Sequence, residues 1–74
     1  MTNLSHKTII AAIQAVDDKF QELKREIEEA EESDLADLEE EMMDFSNARA
    51  ELKACYVELA RGSDNLPSYE ELLR

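Results

Sequence analysis

The chain predicts an all-α fold, an antiparallel two-helix hairpin followed by a short third helix, and two observations predict it. The first is a pair of apolar ladders that step by four and three residues alternately, the repeat of helices packed along one stripe. Ile9, Ile13, Val16, Phe20, Leu23, Ile27 and Ala30 form one ladder. Leu35, Leu38, Met42, Phe45, Arg49, Leu52, Tyr56 and Leu59 form the other. The second observation is that the ladders are mirror images. Folding the chain back between residues 30 and 35 brings together positions that sum to 65: Ile9 with Tyr56, Ile13 with Leu52, Val16 with Arg49, Phe20 with Phe45. A single turn puts the whole seam in register.

Helix one is predicted over about residues 4–31, with Asn3 or Ser5 capping its first exposed amides. Helix two is predicted over about 34–61, with Ser33 or Asp34 as its cap and Gly62 as a left-handed stop after Arg61. One continuous helix is the rival, because no Gly or Pro interrupts residues 28–36. Phase argues against it. Extending the first ladder would place Asp34, Asp37, Glu41 and Asp44 in the seam, and the second ladder runs one residue out of step, about 100° around a helix. The chain therefore divides into a hairpin at 1–61 and a tail at 62–74. In the tail, Ser68-Tyr69-Glu70-Glu71 has the form of a capping box. A short helix there would carry Leu66, Tyr69, Leu72 and Leu73 onto the hairpin base, where Ile10, Ala11, Ala12, Ala15, Ala54, Cys55, Val57 and Ala60 widen the apolar surface.

Charge is concentrated at the opposite end. Of a formal −11, Glu22 to Asp44 hold −10, twelve acids against Lys24 and Arg25. Nucleic acids and anionic membranes are poor partners for such a surface, since both are held by clustered Lys and Arg. A basic protein suits it. Like-charged pairs four residues apart (Glu22/Glu26, Glu28/Glu32, Asp37/Glu41, Glu40/Asp44) each cost a helix a few tenths of a kcal/mol. The bend is thus unfavourable for its own sake. Its candidate partner-binding residues are Glu28, Glu29, Glu32, Asp37, Glu39, Glu40 and Glu41.

Seventy-four residues in two helices bury only the stripe between them, so a second copy is expected to complete the core as a four-helix bundle. The expected register and oligomer residues are Arg49, Phe20, Phe45, Ile13, Leu52 and Tyr56. Arg49 is the one charged rung. Its stem is expected beside Val16, with its guanidinium reaching Asp17, Asp18 or a carboxylate of a second subunit. Cys55 is the only cysteine, so no disulfide forms within the chain, and it is expected buried and inert at the seam's edge. Met42 and Met43 are expected to fill the core and its flank. His6, the only histidine, is expected at the core edge or in solvent. The run Ile9–Val16 behind Lys7 has a signal-peptide flavour, but it continues the ladder, and Asp17-Asp18 offers no small-residue cleavage pattern. No run is long enough to span a bilayer. A cytoplasmic location is expected.

Catalysis has little to work with. There is no phosphate loop, no paired-cysteine motif and no nucleophile elbow. The acidic stretch lacks the glycine-containing loop of a calcium hand, and no metal or cofactor is predicted. The architecture resembles that of small dimeric bundle proteins such as plasmid regulators and secretion chaperones, a likeness of fold that carries no function across. The sequence reads first as a non-catalytic, homodimeric interaction module with an acidic tip. The alternative is an acidic inhibitor or chaperone of a basic protein, in the manner of an antitoxin, an immunity protein or a nucleic-acid mimic.

Overall fold

The computed structural model describes residues 4–63 and 65–74. It contains three helices: α1 (His6–Glu29), α2 (Glu32–Arg61) and α3 (Tyr69–Leu72). The two long helices pack against each other as an antiparallel hairpin, and α3 touches both. The molecule measures 47 × 28 × 15 Å. Its shortest dimension is close to the diameter of one helix with side chains. The hairpin is therefore a single layer, and each long helix keeps a face turned away from its neighbour.

The mirrored ladders meet as their spacing demands. Ile9, Ile13, Tyr56 and Leu72 form the core cluster, with Leu52, Leu59, Ala60, Ile10, Leu66, Tyr69 and Leu73 packed against it. Leu23 is fully buried nearer the bend. Starting α1 at His6 lets Ser5 act as its cap: extended backbone at Ser5 turns the hydroxyl to accept from the Thr8 amide at 3.2 Å. Asn3, the other candidate cap, lies outside the described residues.

Four local expectations are corrected. The turn is made by Ala30 and Glu31, both extended (ψ 150° and 155°), and α2 starts at Glu32, before either predicted cap. Glu31 occupies the cap position without a side-chain hydrogen bond. Carboxylates of Glu32 and Asp34 in the first turn complement the positive helix end instead. Gly62 is not left-handed: with φ −90° and ψ 3° it ends α2 in a tightened last turn, its amide donating to the Leu59 carbonyl at 3.2 Å. Cys55 is exposed, because Tyr56 and Leu52 take the inward positions and rotate residue 55 outward. Met43 turns out likewise and is 65% exposed, whereas Met42 is half-buried.

The tail is pinned by specific bonds. Ser68 and Glu71 form the complete capping box, each side chain accepting from the other's amide (3.3 and 3.1 Å). These bonds hold the Glu71 carboxyl below its usual range, the Ser68 backbone amide contributing most. Leu72 enters the core cluster, and Gln14 Nε2 donates to the Leu72 carbonyl at 3.1 Å. The buried Tyr56 hydroxyl donates to the Pro67 carbonyl. Lys53 Nζ sits 5.3 Å from the Tyr69 ring centroid. A four-residue helix is too short to hold itself together; tertiary contacts of this kind hold α3.

Candidate protein-binding surface

Glu28 and Glu29 close α1, Glu32 opens α2, and Asp37, Glu39, Glu40 and Glu41 follow over its next turns. All seven predicted partner-binding carboxylates are exposed. Glu28 and Glu29 lie at the negative end of α1, whose last turn contains no base. That placement opposes the helix dipole and raises the local negative potential. Helix stability does not account for them.

The hairpin brings some of these residues together and separates others. An open cleft at the bend is lined by Glu26, Glu29, Ala30, Asp34, Asp37 and Leu38. It contains two of the predicted seven, Glu29 and Asp37, and adds Glu26 and Asp34, which charge density alone did not single out. Ala30 and Leu38 supply the apolar part of its lining. Carboxylates around a small apolar floor suit a Lys or Arg side chain, which presents a charged head on a hydrocarbon stem. Glu41 differs from the other six: Lys19 approaches it at 3.9 Å while also lying 3.8 Å from Glu22. Both contacts are exposed and worth little.

The predicted register residues lie away from the bend. Ile13 and Tyr56 are 2% and 1% exposed within one protomer. Phe20, Phe45 and Leu52 are half-buried. Arg49 finds its counter-charge inside the chain: Nε donates to Asp17 Oδ1 at 3.0 Å, and Nη2 lies 2.9 Å from the same oxygen. The guanidinium also stacks 4.2 Å from the Phe20 ring centroid. The ladder placed Arg49 one rung from Phe20, but it could not choose Asp17 over Asp18. Burial decides, since Asp17 is half-buried and Asp18 exposed. Gln14 and Lys53, which tie down the tail, carried no sequence signal beyond their distance from it.

Among the described residues, no group of three His, Cys, Asp or Glu side chains is placed to hold a metal ion. No helix among them is long and apolar enough to cross a membrane. The surface offers charge, shape and a small apolar floor, which are means of recognition. No curated protein matches the sequence. The model of the family described as "T6SS, Immune protein Tsi2-like" matches residues 2–72, nearly the whole chain including hairpin and tail, and the protein belongs to that family.

Proposed function

We propose that this chain is a non-catalytic immunity protein that neutralises a cognate toxin by binding it, with the acidic bend docked on a basic face of the toxin. The observation that carries the reading is the family match over residues 2–72. It favours the inhibitor reading over a general interaction module. The exposed carboxylates at the bend support a charge-led mode of binding. A surface of one sign steers an oppositely charged partner and speeds encounter, and the cleft around Ala30 and Leu38 gives a basic side chain somewhere to seat. The protein acts as a homodimer in the cytoplasm in this reading, and a free, exposed Cys55 suits a reducing compartment.

Charge reversal tests it. Glu39→Lys, Glu40→Lys and Glu41→Lys combined should leave the helical content unchanged, since all three residues are exposed. The same variant should lose protection of cells that express the cognate toxin, and lose co-purification with it. A folded triple variant that still protects and still co-purifies rejects Glu39, Glu40 and Glu41 as part of the binding surface.

A further inference from the structure

Two adjoining hollows run along the flank of α2 beside α3. Val57, Ala60 and the rings of Tyr56 and Tyr69 give the first, of 350 Å³, a mostly apolar lining. The second, of 280 Å³, continues it toward Ser46 and Arg49. Lys53 and Tyr69 line both, so the two form one furrow. Its α3 side is fixed in place, because the capping box and the bond from Tyr56 to the Pro67 carbonyl hold the tail that carries Tyr69.

Its charge runs against that of the chain. In a protein of net charge −11, the furrow is lined by Arg49, Lys53 and Arg61 and by one carboxylate, Glu70. Arg49 is matched by Asp17, whereas Arg61 has only an exposed contact with Glu58 at 3.0 Å, a pair worth little. Lys53 makes no ion pair among the described residues. Its ammonium lies 5.3 Å from the Tyr69 ring centroid, and Val57, one turn on, is 37% exposed. Lys53, Val57 and Arg61 follow one another at steps of about 6 Å along the helix. Alternate side chains of an extended peptide stand on one face about 6.6 Å apart. A segment reading acid, any residue, apolar, any residue, acid therefore sets its carboxylates at Lys53 and Arg61 and its apolar side chain on Val57 between them.

The furrow and the bend cleft flank the seam on opposite sides. Asp37 precedes the seam residue Leu38 by one position, whereas Ser46, Lys53, Val57 and Ala60 each follow a seam residue by one. One position is a rotation of 100°. The two sites also differ in charge, so a surface that fits one is repelled by the other. We infer that the furrow between α2 and α3 docks an extended acidic segment, with an apolar side chain between its carboxylates, from a protein other than the toxin. The chain then holds two partners at once, one on each side of the hairpin.

Titration of the isotope-labelled, full-length protein with the capped peptide Asp-Ser-Leu-Ser-Asp, followed by amide chemical shifts, is the test. Saturable shifts should be confined to residues 46–61 and 68–70, with a dissociation constant below about 1 mM. Changing the leucine of the peptide to serine, or both aspartates to lysine, should weaken binding about tenfold or more. Lys53→Glu in the protein should do the same at unchanged helical content, since Lys53 is exposed. Shifts that do not saturate, shifts scattered over the surface, or equal binding by Lys53→Glu overturn the inference. So does equal binding by the peptide without leucine, because charge alone then accounts for it. Residues 46–61 that shift on dilution of the protein but not with peptide would put a second copy in the furrow instead, and overturn it too. No toxin is present in the titration, so its failure is separate from failure of the toxin-binding reading.

Discussion

The two ends of the hairpin are built on opposite terms. At the base, Ile9, Ile13, Tyr56 and Leu72 are nearly solvent-free, and the tail is fastened by a capping box and by bonds from Gln14 and Tyr56. At the bend, the turn uses two extended residues and no side-chain cap, and carboxylates repel one another along both helices. Folding free energy accumulates where apolar area leaves water, so the base carries stability. The bend contributes little to stability, or opposes it, and in a small protein such a region is the natural place for recognition. The contrast teaches a division of labour along one axis: substitutions should lower stability at one end and binding at the other.

The largest effect should come from the base. Ile13→Ala removes a fully enclosed side chain and should cost about 2–5 kcal/mol, read as a lower midpoint in urea. In a chain this small that is enough to unfold much of the population. A loss well under 1 kcal/mol would mean that the base is loosely packed and would remove the contrast.

An intermediate effect is expected halfway along, where Arg49 joins the helices. Arg49→Ala breaks its contact with the half-buried Asp17 and its stacking on Phe20, and should cost about 1–2 kcal/mol, between the values for exposed and buried pairs. A double-mutant cycle with Asp17→Ala should show positive coupling. Additive effects would reduce the pair to an incidental surface contact.

The smallest effect sits in the tail and depends on pH. The folded-state pKa of Glu71 is lowered by its hydrogen bonds with Ser68. The ionised form is therefore favoured in the folded state, and its contribution is present above the ordinary carboxylate range. It is lost as pH falls through the lowered folded value. Amide exchange in residues 68–73 should quicken under acid before α1 and α2 loosen, and Glu71→Gln should remove most of that early step. Identical profiles for wild type and variant would assign the acid response to other groups.

Much of this architecture was legible in the letters, for a definite reason. The ladders fix which faces meet, and a helix gives little choice once its apolar stripe is set, so the Ile9–Tyr56 level of the seam and the Ser68–Glu71 box follow directly. The ends of the helices were less legible. Ser33 and Asp34 are good caps, but α2 begins at Glu32 because acids in its first turn serve the same electrostatic need. Gly62 suits a left-handed stop, yet a tightened last turn closes the helix without one. Cys55 and Met43 sat near the seam's edge, where a rotation of one position separates buried from exposed.

The proposed binding surface was legible as charge and illegible as shape. Twelve acids between Glu22 and Asp44 marked the region, whereas the grouping of Glu26, Glu29, Asp34 and Asp37 around Ala30 and Leu38 required the turn itself.

If charge at the bend holds the toxin, as proposed, the affinity of the wild-type protein for its cognate toxin must depend on ionic strength. Exposed charges are screened beyond about 10 Å at 0.1 M salt. Affinity should fall by at least tenfold between about 0.05 and 0.5 M salt, mainly through slower association. An affinity that holds constant across that range would rule out charge-led binding and point instead to apolar docking.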